Sequence, residues 1–336
     1  MRLSWHRWWP VLKSLLALAI VLGVGWHFVR VLDAASAIDE AAGTSRIEII
    51  GRWLAEARSS WLMLSAVLYL SALGMFGSFW VLLLRWLGQR PSLTTAGRAY
   101  YIGHLGKYVP GKAWALILRT GWVAGDGVRL GVAAMTATYE TLTTMAAGAL
   151  LAGITFALLP PSHDGAVWRA FGLLALAGAP ILPAVFNRLV RWATAPFVDP
   201  ALPSLPPLGT RTLVIGLAIA SIGWCLMGTA LWTAVQGMRP EVLPWSWGDW
   251  LHCTAAMSFA YVAGFLTLPA PGGLGVRELL LQESLASELG PRAVALVLLV
   301  RLLWTAAELL MAAAVWCLPQ RRRSLAGGLT PSISQP

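Results

Sequence analysis

The chain has 336 residues, of which 57% are hydrophobic and only 12% are charged, and its mean hydropathy is +0.67. A soluble globular protein carries about 25% charged residues, so this composition indicates an all-α polytopic integral membrane protein and leaves no room for a soluble catalytic domain. The formal net charge of +10 does not indicate nucleic-acid binding, because the basic residues are spread over short loops between apolar runs. It fits cytoplasmic loops that contact anionic lipid.

Six segments are predicted to cross the membrane in full, each close to the ~20 residues that ~30 Å of hydrocarbon requires. They are residues 11–32, 61–84, 130–159, 166–187, 212–235 and 293–318. A cleaved signal peptide is the alternative for the first segment, because basic residues precede it. Between the first two segments, the spacing of apolar residues within 39–60 predicts a helix in the plane of the membrane interface. We expect a kink at Pro180 and Pro183 in the fourth segment, and a proline-rich loop at 188–211.

Two further stretches, 161 residues apart, are similar to each other. Residues 99–111 read AYYIGHLGKYVPG, and residues 260–272 read AYVAGFLTLPAPG. The matching positions are Ala99/Ala260, Tyr100/Tyr261, Gly103/Gly264, Leu105/Leu266, Pro110/Pro271 and Gly111/Gly272. Proline and glycine interrupt a helix, and inside a bilayer such a break is tolerated only where it is buried in protein or lines a cavity. We therefore predict two re-entrant hairpins, at about 95–125 and 249–290, whose tips are Pro110-Gly111 and Pro271-Gly272. The alternative is that Pro-Gly ends an ordinary span at the interface.

The re-entrant hairpins determine the predicted topology, which has about six to eight transmembrane helices. Both termini are then cytoplasmic, as are the arginines at 85–98 and in the 188–211 loop, in accordance with the positive-inside rule. Three full spans separate the hairpins, so the hairpins enter from opposite faces of the membrane and form inverted repeats. Repeat 1 covers about 61–159 and repeat 2 about 211–318, within a single domain 1–320 that precedes a basic cytoplasmic tail, 321–336.

Ionisable residues deep in the apolar segments are few, and each costs ~2.5–3.5 kcal/mol at the centre of a membrane helix. They are Glu140, Arg301 and Glu308. Threonines three and four residues away place each of them on a polar helix face, which we expect to line a cavity. The repeat offset relates Glu140 to Arg301, which suggests an ion pair between them. A pair that only fixes helix packing is the alternative.

The predicted hairpin tips add positive charge. Lys107 and Lys112 flank the first tip, and Arg277 follows the glycine-rich second tip, whose backbone can approach a ligand closely. A helix N-terminus suits phosphate, and arginine binds phosphate in a bidentate way. Glu278 is expected to hold Arg277 or to accept a cationic head group. Snorkelling to the membrane surface is the alternative for the two lysines. The predicted substrate-binding residues are Lys107, Lys112, Arg119, Glu140, Gly272, Gly273, Gly275, Arg277, Glu278, Arg301 and Glu308.

Other kinds of site have little support in the sequence. The three cysteines show no CxxC spacing, so neither a disulfide framework nor a zinc site is expected. Asp249 and His252 are one helical turn apart but lack an evident third ligand, so an interface role is favoured over a metal site. For His104, a hydrogen-bonded structural role is favoured over proton relay. We expect no metal, no cofactor and no catalytic residues.

Two motifs resemble a known family. Residues 103–114 read GHLGKYVPGKAW and are followed by Arg119, and residues 271–278 read PGGLGVRE. They are similar to two signatures of the lysylphosphatidylglycerol synthase transmembrane family, also called the flippase-like domain family. The resemblance implies a multi-pass domain of the bacterial inner membrane that moves aminoacylated phosphatidylglycerol between leaflets. In bifunctional members of that family a soluble domain attaches the amino acid, and we expect this chain to be a stand-alone member without synthase activity.

The resulting hypothesis is a lipid flippase that moves an anionic or aminoacylated phospholipid and is not an enzyme. Its expected partners are membrane phospholipids, with a separately encoded lipid-modifying enzyme and a second copy of the chain as open alternatives, and no nucleic acid. Two other functions stay open: an integral-membrane enzyme acting on a lipid-linked phosphate or sugar, and a membrane scaffold for a separate lipid synthase.

Overall fold

Helices make up the architecture of the described chain. A computed structural model describes residues 46–108, 114–124, 126–158, 178–194, 207–239, 244–267 and 273–318, with isolated positions within 22–30 and 168–175 and at 241. No β-strand occurs among these residues. The helices are α1 (Arg46–Glu56), α2 (Ser59–Trp86), α3 (Leu93–His104), α4 (Trp114–Ala124), α5 (Leu130–Leu158), α6 (Pro183–Thr194), α7 (Thr210–Met238), α8 (Trp247–Leu266), α9 (Val276–Leu289) and α10 (Arg292–Cys317). Two 3-10 turns, Leu105–Tyr108 and Ala179–Ile181, complete the list.

Four of the described helices are long and apolar enough to cross a membrane. They are α2, α5, α7 and α10, which have 26 to 29 residues each. At a rise of ~1.5 Å per residue, each exceeds the ~30 Å of a hydrocarbon core. The chain is therefore a helical membrane protein, and the segments predicted at 61–84, 130–159, 212–235 and 293–318 are confirmed as helices. Most of the segment predicted at 11–32 lies outside the described residues, and the one predicted at 166–187 is described continuously only from residue 178.

Helix α6 corrects two predictions. A 3-10 turn over Ala179–Ile181 and a non-helical Leu182 break the chain before α6, so the predicted kink is an interruption followed by a new helix. Proline suits the first helical position, where its missing N–H is not needed. Residues 188–194, predicted as the start of the proline-rich loop, belong to α6 instead, because Phe186 and Val190 are four residues apart and both pack against the core.

The helix boundaries repeat at the offset that relates the two Pro-Gly stretches. Shifted by 161 residues, α5 would cover 291–319, and the observed α10 covers 292–317. The short helices before them pack in pairs, α3 beside α4 and α8 beside α9. A glycine makes each close approach: a Cβ at Gly103 would lie 3.0 Å from the Cβ of Arg119, and one at Gly264 would lie 3.4 Å from the Cβ of Arg277. Both Pro-Gly tips lie outside the described residues.

Arg98, predicted in a loop after the second span, is instead part of a helix. It lies in α3 and is buried, because its guanidinium bonds the carbonyl oxygens that end α10. Its Nε donates to Val315 O at 2.7 Å, and its Nη2 donates to Trp316 O at 2.8 Å and to Leu318 O. The last carbonyls of a helix have no partner within the helix, so this side chain supplies one and ties α3 to the end of α10.

Small residues allow the long helices to pack closely. Along α7, a Cβ at Gly216 or Gly223 would collide with the rings of Phe79 and Phe76 of α2, and one at Gly228 would lie 2.7 Å from the Cα of Thr254 in α8. Helices in lipid associate mainly through van der Waals packing, which favours small residues at their interfaces. These glycines therefore fix the distance between α7 and its neighbours.

Gly228→Ala is expected to destabilise the protein, because the new Cβ can be accommodated only if the α8 backbone moves. Gly131→Ala in α5 is the matched control, since its Cβ would meet nothing within 4 Å. Both changes gain up to ~1 kcal/mol of helix propensity. The melting temperature in detergent should fall for Gly228→Ala and stay level or rise for Gly131→Ala. Equal melting temperatures for the two variants would contradict the close packing at Gly228.

Candidate functional site

A cavity of about 470 Å³ lies where the two short-helix pairs meet the long helices. Its wall combines apolar side chains with a small set of charged and polar ones. The apolar part includes Leu73, Phe76, Met145, Trp224 and Met227, and the charged and polar part includes Tyr100, His104, Lys107, Arg119, Glu140, Tyr261 and Arg277. A mostly apolar pocket with a few convergent charges is the usual form of a site for an amphipathic ligand.

Arg119 and Arg277 occupy equivalent places in the two short-helix pairs. Each packs against the glycine of the neighbouring helix described above, and each lies over a tyrosine ring. The Cζ of Arg119 is 4.4 Å from the ring centre of Tyr100, and the Cζ of Arg277 is 4.0 Å from that of Tyr261. Since Tyr100 and Tyr261 also match at the 161-residue offset, the repeat extends to the construction of this wall. Cation–π contacts of this kind hold a guanidinium in place without neutralising it.

A carboxylate neutralises the first of these arginines. Arg119 Nη1 lies 2.6 Å from Glu140 Oε2, and the two side chains are 6% and 4% exposed. Tyr100 and Thr144 also donate to Glu140 Oε1, at 3.3 Å and 3.4 Å. Burial of both partners together with additional hydrogen bonds is what makes a buried ion pair tolerable.

Arg277 has no such partner. Its side chain is only 9% exposed, and the nearest carboxylate oxygen among the described residues, Glu278 Oε1, is 3.8 Å from its Nε, too far for a hydrogen bond. Its Nε–H is buried and donates to no acceptor among the described residues, while the side chain contributes to the cavity wall. A buried guanidinium without an acceptor is costly, so this position is suited to an anion from outside the protein.

The proposed pair between Glu140 and Arg301 is wrong. Arg301 Nη1 instead lies 2.5 Å from Glu278 Oε1, while Glu140 is bonded to Arg119. The offset identifies equivalent positions in two repeats, whereas each of these two ion pairs is made within one repeat, between a short helix and the long helix that follows it. At the position equivalent to Glu140, repeat 2 therefore carries an arginine, and this leaves Arg277 without its counterpart of Glu140.

Glu278 also caps the N-terminus of α9. Its Oε2 accepts the backbone N–H of Gly275 at 2.8 Å, which is a capping interaction. Gly275 has a φ of +88°, and Gly273 has a φ of +72° with its Cα in close contact with Gly264. These values are readily adopted only by glycine. The N–H of Gly275 is thus already used within the protein.

Glu308 is the common acceptor of a second polar cluster, which includes Lys107. Lys107 Nζ lies 2.5 Å from Glu308 Oε1, Tyr108 donates to Oε2 at 2.9 Å, and Tyr69 also donates to Oε1. His104 Nε2 lies 2.9 Å from Lys107 Nζ and 3.6 Å from Glu308 Oε1. The cluster joins α2, α10 and the 3-10 turn after α3, so it fixes the end of the first short-helix pair.

The structure brings several of the predicted binding residues to one place and separates others. Lys107, Arg119, Glu140, Gly273 and Arg277 line the cavity. Glu308 contacts Lys107, and Glu278, Arg301 and Gly275 form the neighbouring group described above. Lys112, Pro110, Gly111, Pro271 and Gly272 lie outside the described residues.

The sequence analysis did not identify the tyrosines of the site, and it did not identify the partners of Asp249 and His252 on α8. Tyr100 and Tyr261 match between the repeats, and that signal could have identified them as partners of the two arginines, whereas no comparable signal marks Tyr69. Asp249 and His252 belong to a separate cluster: Asp249 Oδ2 is 3.5 Å from Arg239 Nη1, and His252 Nδ1 is 2.7 Å from Glu288 Oε1. They lie in an ion-pair network between α8, α9 and the end of α7.

Comparisons with known proteins do not assign the chain to a family. No protein-family model matches the chain, and no curated protein matches it.

Proposed function

We propose that this protein is a lipid transporter that moves an anionic or aminoacylated phospholipid between the two leaflets of a bacterial inner membrane. The observation that carries the proposal is Arg277, a buried guanidinium without a hydrogen-bond acceptor among the described residues, in the wall of a largely apolar cavity. A phosphate meets the charge, and the apolar wall accommodates the glycerol and the first part of the acyl chains. The resemblance of the Pro-Gly motifs to the flippase-like domain family supports the same function.

The topology of the proposal is the one expected from the sequence. Two re-entrant hairpins enter from opposite faces, within six to eight transmembrane helices arranged as inverted repeats, and both termini are cytoplasmic. The recurrence of helix boundaries at the 161-residue offset supports it, as do the matched contacts of Arg119 and Arg277. Transporters with inverted repeats place their substrate at the interface of the repeats, and the cavity lies between the two short-helix pairs.

Transport is favoured over catalysis by the state of the acidic residues. A membrane enzyme acting on a lipid phosphate needs a free general acid or base at the cavity. Glu140 and Glu278 were the two candidates, and each is bonded to an arginine.

Arg277→Met should abolish leaflet exchange of a fluorescent phosphatidylglycerol in proteoliposomes. Methionine retains the length and the packing of the side chain and removes its charge. Arg129→Met is the control, since Arg129 is an exposed arginine just before α5. Exchange is measured by dithionite reduction of the outer-leaflet probe. Wild-type protein that does not accelerate exchange above empty vesicles would overturn the function, and equal rates for wild type and Arg277→Met would overturn the role of the site.

A further inference from the structure

The charges around the cavity do not cancel. Among the described residues, three cations and one carboxylate line it: Lys107, Arg119 and Arg277 against Glu140. Glu308 neutralises Lys107 from behind, and Glu140 neutralises Arg119. One positive charge is left, and it belongs to Arg277. The adjacent pair of Glu278 and Arg301 is neutral in itself.

Every carboxylate in this region is already bonded to a cation of the protein. The distances are 2.6 Å from Arg119 to Glu140, 2.5 Å from Arg301 to Glu278 and 2.5 Å from Lys107 to Glu308. The two tip segments outside the described residues, 109–113 and 268–272, contain no acidic residue, and the first contains Lys112. An ammonium group brought into the cavity would therefore find no free carboxylate among the described residues, and it would be repelled by Arg277.

We infer that the cavity selects a phosphodiester with a single negative charge and an uncharged head group, and that it discriminates against the same lipid carrying an aminoacyl group. This inference rests on the proposed function and narrows its substrate. The phosphate pairs with Arg277, whose orientation is fixed by the Tyr261 ring and by Gly264. Moving an ammonium group from water into the cavity without a carboxylate partner is unfavourable, and this cost is the basis of the discrimination.

The same phosphodiester chemistry is present in a lipid and in a soluble glycerophosphodiester, and the apolar wall favours the lipid. Leu73, Phe76, Trp224 and Met227 form a continuous lining beside the charged side chains. A soluble anion would leave that surface in contact with water, whereas acyl chains would cover it.

The test compares two lipids and one soluble anion on the full-length protein. Proteoliposomes report leaflet exchange of fluorescent phosphatidylglycerol and of fluorescent lysylphosphatidylglycerol, and nanodiscs report competition for bound phosphatidylglycerol by each lipid and by glycerophosphoglycerol. We expect the unmodified lipid to be preferred at least roughly tenfold, the ratio produced by ~1.4 kcal/mol. In the nanodisc competition assay, Arg277→Met should bring the binding ratio of the two lipids close to one, and Arg277→Lys should retain part of the preference, while Arg129→Met leaves it unchanged. Size-exclusion chromatography verifies that each variant is folded.

The outcomes separate the inference from the function it rests on. Exchange of neither lipid by wild type overturns the proposed function. Exchange of both at equal rates, or faster exchange of the lysyl lipid, overturns the inference and leaves lipid transport standing. Competition by glycerophosphoglycerol as strong as that of the lipid assigns the site to a soluble anion and also overturns the inference. Retention of the tenfold preference in Arg277→Met shows that another residue provides the selection.

Discussion

Glu140→Leu is expected to destabilise the protein by about 3–5 kcal/mol, the usual cost of removing one partner from a buried ion pair. The change leaves the guanidinium of Arg119 buried without its carboxylate, in contact with the rings of Tyr100 and Trp80. Those rings attract the cation but accept no hydrogen bond of comparable strength. The free energy of unfolding is measured by titration with SDS in detergent micelles.

A double variant separates the lost pair from the lost packing. Arg119→Met combined with Glu140→Leu removes both charges and retains apolar side chains of similar volume, so its stability should return to within about 1 kcal/mol of the wild type. Glu140→Gln retains the shape of the side chain and its acceptor oxygen, and it should fall between the single leucine variant and the wild type. If the double variant is as unstable as Glu140→Leu, the loss of stability comes from packing around position 140, and the ion pair between Arg119 and Glu140 does not contribute to it.

The sequence predicted the long helices well, because the physical signal for them is strong. Each of α2, α5, α7 and α10 is a run of apolar residues long enough to cross a membrane, and its ends lie within three residues of the predicted ends. The start of α6 was harder to predict, since Pro180 and Pro183 are compatible with either a kink or a break. A new helix forms there, and the packing of Phe186 and Val190 against the core stabilises it.

The site was predicted as a set of residues but not as a set of contacts. The polar stripes and the repeat identified Glu140, Arg277 and Arg301, and the cost of burying charge in lipid explains why such residues stand out. The partner of each depends on which helices are adjacent, and a repeat offset does not contain that information. Arg119 is the clearest case, because it lies three residues out of register with Arg277 in the alignment and yet makes the same contacts.

The proposed function depends on an asymmetry between the two repeats. A strictly symmetrical protein would have a carboxylate at position 301, and both cavity arginines would be neutralised by the long helix that follows them. In this chain Glu278 Oε1 is 2.5 Å from Arg301 Nη1 and 3.8 Å from Arg277 Nε, so Glu278 pairs with Arg301 and makes no hydrogen bond to Arg277. The two repeats build similar surroundings for Arg119 and Arg277, and the change of charge from Glu140 to Arg301 leaves Arg277 as the residue that we propose to bind an anion.

Glu308→Leu should also be strongly destabilising, because this carboxylate is the common acceptor for three groups from two parts of the chain. Lys107 Nζ and the hydroxyls of Tyr69 and Tyr108 all donate to it, and leucine would leave the three donors without their acceptor. We expect a loss of about 3–5 kcal/mol, as for other broken buried pairs. The loss should be local at first, so amide hydrogen exchange of residues 93–108 should rise more than that of α7.

Lys107→Met is expected to have a smaller effect than Glu308→Leu, because Glu308 retains both tyrosine hydroxyls as donors. A single hydrogen bond to a charged group contributes about 1.5–3 kcal/mol, which sets the expected loss. Thr305→Val is the mild control, since it removes only the 2.8 Å hydrogen bond between Thr305 and the Tyr108 hydroxyl. SDS titration together with hydrogen exchange measured by mass spectrometry ranks the three variants. An order in which Lys107→Met is the most damaging would mean that the lysine, and not the carboxylate, holds the first short-helix pair against α10.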